Sequence, residues 1–377
     1  MTTIYLDNAA TTPIDSAVIE TMMKVMSETF GNPSSTHQFG RKAKTLVEEA
    51  RKDIAKHFNV TAGEIVFTAG GSEADNLILK NAVQNLGVRH IISSKIEHHA
   101  VLHTIEAIAE EFDVKVSYVN LHENGDVDYK HLEALLQNNS EKTLVSLMYI
   151  NNEIGNLLDL EKVCNLCVAN NALFHSDTVQ AIGHYPIDLQ KTPIDFMVAS
   201  AHKFHGPKGV GFAIIKKGFG IKPLVVGGEQ ERGARAGTEN VHNIVGMQKA
   251  LTIAMDTVVK DVASINRLKQ YFIDKLVNLS PDIQFNGCSG ESSTSSCLIL
   301  NVRFAKEIPM FLFHLDLKGI AASGGSACQS GSNKGSHVLN TILPKEEAMK
   351  TSVRFSFSKW TTKEELDDTL GVIRDLV

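Results

Sequence analysis

Residues 195–211 read DFMVASAHKFHGPKGVG. An apolar strand ends in small polar residues, is followed at once by His202 and Lys203, and passes through a glycine-rich turn into a second strand, GFAIIK (211–216). A lysine at a strand end, with small neighbours that give access and a histidine beside it, can form a Schiff base with an aldehyde cofactor. Partial burial disfavours the ammonium and so makes the amine nucleophilic. A surface lysine in a strand-to-helix turn would carry the same local text, so the assignment depends on its surroundings.

Outward from this stretch, short β-branched or apolar runs alternate with amphipathic ones. EIVFT (64–68), HIISS (90–94), KVSYVNL (115–121), TLVSLMYI (143–150) and LFHSD (173–177) read as strands. THQFGRKAKTLVEEARKDIAKHF (36–58), GGSEADNLILKNAVQNL (70–86) and LDLEKVCNLCVANN (158–171) read as helices, with apolar residues three and four apart. This order specifies an α/β domain: a mainly parallel central sheet sandwiched by helices. The character changes after GGEQERGARAGTENVHN (227–243). A long helix over 241–279 leads to SSCLILNVR (295–303), a helix near 309–318, the strand SVRFSFS (352–358) and a closing helix over 362–377. The expected division is a large domain over 14–255 and a smaller α+β domain made of 1–13 and 256–377.

Composition narrows the function. The 377 residues carry 37 Lys and Arg against 43 Asp and Glu, a formal charge of -6, with no block of like charge. Direct nucleic-acid binding and an anionic membrane surface are therefore disfavoured. The start, MTTIYLDNAATTP, lacks the basic and apolar regions of a signal peptide, and no apolar stretch has the length of a membrane span. The expected location is the cytoplasm, where the five cysteines would be thiols. Cys164 and Cys167 have half the spacing of a zinc site, but no second pair follows, so they are expected in a helix core.

Several residues could join Lys203. Asp177 ends a strand and could pair with a protonated ring nitrogen, or could cap the following turn. Gly71 and Ser72 stand at a helix start, where free N–H groups and the helix dipole favour phosphate. His98 or His99 could stack on a ring and move protons; spacing leaves open which faces inward. Arg354, between Val353 and Phe355, lies on the polar face of a half-buried strand, where spacing permits a solvated charge or a functional one. Finally, AASGGSACQSGSNKGS (321–336) places Cys328 in a segment of glycines and serines where nothing packs a thiol.

The chain resembles the cysteine desulfurases of the NifS/IscS type, pyridoxal-phosphate enzymes of fold type I. The likeness runs in order through YLDNAATTP, GNPSSTHQFGRKA, EIVFTAGGSEADNL, SKIEHHAVL, INNEIG, HSDTVQAIGHYPIDL, SAHKFHGPKGVG, ERGARAGTENV, SGGSACQSGS and SVRFSFS. It implies pyridoxal 5'-phosphate as cofactor, with Lys203 as its Schiff-base lysine. Asp177 would meet the pyridine nitrogen, Gln180 the phenolic oxygen, and His98 would stack on the ring. Gly71, Ser72, Ser200 and His202 would hold the phosphate. Thr238 would reach the phosphate of the neighbouring subunit, which implies a homodimer. Asn152 would face cofactor and substrate, and Arg354 the substrate carboxylate. The implied reaction converts L-cysteine to L-alanine with sulfur captured as a persulfide on Cys328. Lys203 and His98 would move protons.

The implied acceptors are proteins such as an iron–sulfur scaffold or a tRNA thiolase; the only metal contact implied is a transient cluster ligand at Cys328. The tail QSGSNKGS (329–336) departs from the Leu-Glu-Pro text of mobile-loop members and is expected to set partner preference. Aminotransferases and selenocysteine lyases share the cofactor residues; the loop cysteine sets the desulfurase reading apart from an aminotransferase. A non-catalytic cofactor-binding protein would lack some of these positions, and here all are filled.

Overall fold

The computed structural model describes residues 3–324 and 335–377. The chain opens with β1 (Ile4–Tyr5), α1 (Ser16–Glu28) and α2 (Gln38–His57). It then alternates through β2 (Ile65–Thr68), α3 (Gly71–Gln84), β3 (His90–Ser93), α4 (His99–Phe112), β4 (Lys115–Tyr118), α5 (Tyr129–Gln137), β5 (Thr143–Ser146), α6 (Leu160–Ala169) and β6 (Leu173–Asp177). β7 (Phe196–Ser200) and β8 (Gly211–Ile215) complete the large sheet, and α7 (Val241–Leu279) follows. The remainder holds β9 (Gln284–Phe285), β10 (Ile299–Arg303), α8 (Phe311–Leu317), β11 (Ile320–Ala321), α9 (His337–Ile342), α10 (Lys345–Ala348), β12 (Ser352–Ser356) and α11 (Lys363–Leu376).

Seven strands form one sheet in the order β2-β8-β7-β6-β5-β3-β4. The pairs from β7 to β4 are all parallel, and β8 alone runs against both neighbours. The sheet is thus mainly parallel, as the alternation of elements requires. Strands β2, β3, β5, β7 and β8 are buried at every position, which is why they read as continuous apolar runs. On α2 the buried residues Ala43, Val47, Ala50 and Ile54 recur at helical spacing, and the helix packs on α7. Cys164 and Cys167 lie on the buried face of α6; burial pushes the Cys164 thiol up to about 12 and Cys167 higher still.

Two expectations are revised. The regular strand in TLVSLMYI ends at Ser146, shorter than its apolar run. The Leu147 and Tyr149 N–H groups still donate to the His175 and Asp177 carbonyls at 3.2 and 2.9 Å, while Glu97 Oε1 accepts the Met148 N–H at 2.9 Å. Helix α7 runs unbroken across residues 255 and 256. The segment expected as a loop from Ala321 begins as strand: Ile320 and Ala321 pair with Ile4 and Tyr5, and Ser323 bridges Arg354. Separately, β12-β10-β9 form a three-stranded antiparallel sheet that sets Asn301 opposite Arg354.

A buried ion pair ties the 219–240 segment to this frame. Arg51 donates through Nη1 and Nη2 to Glu231, each at 2.7 Å, and the same carboxylate accepts the Phe67 N–H at 2.8 Å. Glu231 and Arg232 both adopt positive φ, a conformation that other contacts must hold in place. Glu231→Ala leaves the buried Arg51 guanidinium with Glu48, 3.1 Å from Nε, as its remaining carboxylate and should destabilise the protein by about 3 kcal/mol. Urea unfolding at unchanged slope would read this; a loss under about 1 kcal/mol, typical of a surface pair, would show that the clamp carries little stability.

Candidate active site

A cavity of about 220 Å³ lies at the carboxyl ends of the large sheet. This is where parallel α/β sheets bind ligands, because loops and helix N-termini converge there. Most of its lining residues come from the strand ends and the turns after them; Ala9, Ala10 and Arg354 close it from the other side.

Lys203 sits in the short turn after β7, and its Nζ donates to the carbonyl oxygens of Ala9 at 2.6 Å and Ala10 at 2.8 Å. Ser200 ends β7, buried. His202 places Nδ1 3.1 Å from Thr11 Oγ1, and burial, with Lys203 and Lys208 nearby, lowers its imidazole to about 4, so the ring is neutral. At the start of α3 a Cβ on Gly71 would stand 2.6 Å from Val179 Cγ2, which leaves glycine as the residue that fits. The unpaired N–H groups of that first turn face a more open cleft of about 520 Å³, bounded by Thr11, Glu73 and Lys208.

Asp177, the last residue of β6, is buried and accepts the Val179 N–H at 2.9 Å. It therefore combines the two roles its sequence allowed, a turn cap and a cavity carboxylate. Burial raises its carboxyl above the ordinary range, while His98, the Val179 N–H and Lys203 pull it back. Gln180 reaches the Ala9 carbonyl through Nε2 at 2.9 Å. His98, not His99, lines the cavity. Its Nδ1 accepts the Ala100 N–H at 3.1 Å as the cap of α4, so the hydrogen-bond network assigns the ring proton to Nε2. Burial lowers its pKa. His99 instead stacks with His103 and His337, at ring separations of 4.8 and 4.3 Å.

Arg354 is 1% exposed, so the reading as a solvated strand charge fails: Val353 and Phe355 are buried too, and β12 is covered on both faces. Its Nη1 donates to the Asn152 carbonyl at 2.7 Å and its Nη2 to Asp7 Oδ1 at 2.9 Å. Asn151 spends its side chain on Ile96, Glu153 and Ile154, which fixes the turn and leaves Asn152 to face the cavity. Thr238 does not line the cavity; it is exposed on the 219–240 segment. Cys328 lies outside the described residues.

Sequence reasoning missed four contributors. Ala9 and Ala10 act through backbone oxygens, which no side-chain pattern reveals, and Asp7 is their neighbour on that segment. Asp75 lines the cavity from α3, 1% exposed, with Oδ1 3.3 Å from His175 Nε2. Burial raises its carboxyl well above the usual range, and Asp177 and Glu97 add to that. An acidic residue at helical spacing from Leu79 and Ile78, on a buried face, was the available signal.

Comparison with known proteins gives the same picture. The class-V aminotransferase profile matches residues 4–369. A cysteine desulfurase IscS of Dictyoglomus turgidum is 40% identical over 99% of this chain and 94% of its own. A putative cysteine desulfurase IscS 1 of Bacillus subtilis is 40% identical over 100% of this chain and 99% of its own. Among solved structures, a NifS-like protein superposes with a TM-score of 0.91 at 35% identity, covering 99% of both chains. SspA in complex with cysteine superposes at 0.82 and 30% identity, covering 96% of this chain and 100% of that one. By sequence over its whole length and by fold, the chain belongs to the class-V aminotransferase family.

Proposed function

We propose that the protein is a pyridoxal-phosphate-dependent cysteine desulfurase that converts L-cysteine to L-alanine and takes the sulfur onto Cys328 as a persulfide. One observation carries this reading: Lys203, Asp177 and Arg354, remote in sequence, line a single cavity. The residues suit the cofactor. Lys203 Nζ is held inside by two carbonyls, the first turn of α3 lines the cavity through Gly71 and Ser72 where its N-terminus suits a phosphate, and Asp177 is a buried acid able to hold a ring nitrogen's proton. When bound, pyridoxal phosphate supplies the electron sink that lets a Cα proton leave and a neighbouring C–S bond weaken.

The chain's own residues do the rest. Arg354 has a buried Nε without an acceptor, and that donor suits the α-carboxylate. Lys203 Nζ takes the Cα proton. His98 holds its proton at Nε2 beside Asp177; to accept a second it must release the Ala100 N–H from Nδ1. Cys328 attacks the substrate sulfur as thiolate, so L-cysteine and the thiol give L-alanine and the persulfide without an external oxidant. Delivery then requires a thiol or cluster-building acceptor, of the iron–sulfur scaffold or tRNA thiolase kind, in the cytoplasm. Cys328 could ligate a nascent cluster transiently during transfer.

A homodimer fits the surface. Phe30 and Phe39, with ring centroids 5.2 Å apart, are 77% and 54% exposed, and Met23 and Val226 are exposed as well. Large apolar groups left open in this way favour a partner. Exposed Thr238 would then reach the phosphate of the neighbouring subunit.

Lys203→Ala should abolish both the cofactor's visible absorbance and alanine formation. Cys328→Ala should keep that absorbance yet lower alanine formation from L-cysteine with a reductant by on the order of a thousandfold or more. Mass spectrometry of the unaltered protein should find one added sulfur on Cys328. Alanine release at the unaltered rate in Cys328→Ala would point to lyase or aminotransferase chemistry instead. Phe30→Asp should shift the protein toward a monomer in analytical ultracentrifugation; an unchanged mass would place the interface elsewhere.

A further inference from the structure

Arg354 has an anionic partner of its own. Asp7 Oδ1 accepts from Nη2 at 2.9 Å, the Asn152 carbonyl accepts from Nη1 at 2.7 Å, and Nε is buried with no acceptor. Asp7 is itself fixed. Its carbonyl accepts the Tyr5 hydroxyl at 3.2 Å and the Ala10 N–H at 3.0 Å, and the residue bridges Ser356, two positions beyond Arg354 on β12. The ion pair joins two backbones that are themselves paired, so neither partner is free to swing away.

A buried cation needs a counter-charge, and Asp7 supplies it when the cavity holds no substrate. A carboxylate arriving on the remaining N–H groups must share the guanidinium with Asp7. Two carboxylates on one guanidinium lie roughly 5–7 Å apart, and their repulsion in a partly buried site shifts an equilibrium by about tenfold or more. We propose that Asp7 is a resident counter-ion and positioning residue. It keeps Arg354 in place between turnovers and weakens its hold on the α-carboxylate, so that the amino-acid product leaves. Binding that is equally tight for substrate and product lowers KM without raising kcat, so a device that loosens it favours turnover. The inference rests on the reading of Arg354 as the carboxylate site.

The test is calorimetric titration of the cofactor-loaded protein with L-alanine and with ethylamine, which is alanine without its carboxylate. Asp7→Asn keeps the size and a carbonyl acceptor for Nη2 but removes the charge. It should bind L-alanine about tenfold tighter, bind ethylamine as before, and show a lower KM for L-cysteine with kcat no higher. Asp7→Glu, which keeps the charge, should bind alanine as the unaltered protein does. Alanine binding that is unchanged or weaker in Asp7→Asn, or equal tightening for ethylamine, would overturn the inference. Arg354→Lys should weaken alanine and leave ethylamine alone. If it leaves alanine alone too, the carboxylate-site reading itself fails; if it weakens alanine while Asp7→Asn changes nothing, only the role of Asp7 falls.

Discussion

The backbone oxygens of Ala9 and Ala10 hold the Nζ of Lys203, and the rest of the site is arranged around that contact. The same short segment supplies Asp7 to Arg354 and the Ala9 carbonyl to Gln180. Its Ala9 N–H donates to the Ser356 hydroxyl oxygen, and its Thr12 hydroxyl donates to the His202 carbonyl. Residues 7–12 therefore stitch the end of the large sheet to the small antiparallel sheet. Without them the lysine would sit at an open strand end and the arginine would be a buried charge with no anion. The turn closed by the Ala10 N–H on the Asp7 carbonyl suits this task, because it aims successive backbone and side-chain groups in different directions.

Burial governs the electrostatics of the cavity. Asp75, Glu97 and Asp177 are all nearly sealed from solvent, and burial pushes each carboxyl upward. Asp177 is pulled back by His98, the Val179 N–H and Lys203, and Glu97 by the Met148 N–H. Like charges confined together disfavour one another's ionisation, and of the three only Asp177 has the Lys203 ammonium among the groups that offset this. The histidines follow the same logic in reverse: burial lowers His98, His175 and His202, and neutral rings hydrogen-bond without adding charge.

Much of the architecture was legible in the chain. Buried parallel strands declare themselves as unbroken apolar runs, as in Ile65–Thr68 and Phe196–Ser200, and the amphipathic spacing of α2 marks the face that packs on α7. Ser146 shows the limit: Leu147 and Met148 are as apolar as the strand before them, yet β5 ends there and the Met148 N–H goes to the carboxylate of Glu97, some fifty residues away. His98 and His99 show it again. Adjacent identical residues carry no local difference, and what separates them is that His98 caps α4 and lines the cavity while His99 begins the helix and packs on His103 and His337.

The sequence by itself determined the kind of site: a lysine at a strand end, an acid at the next strand's end, a glycine at a helix start and a cysteine among glycines and serines. These follow from local chemistry, since backbone freedom, helix termini and strand ends are properties of a few consecutive residues. The tertiary structure alone decided the partners. Lys203 meets Ala9, Arg354 meets Asp7 and Asn152, and Asp75 meets His175, across separations of 194, 347, 202 and 100 residues (175 minus 75 for the last). Such contacts depend on the register of strands that pair only after the chain has folded. A one-residue slip of β12 would carry Arg354 to the other face and take the guanidinium from the cavity.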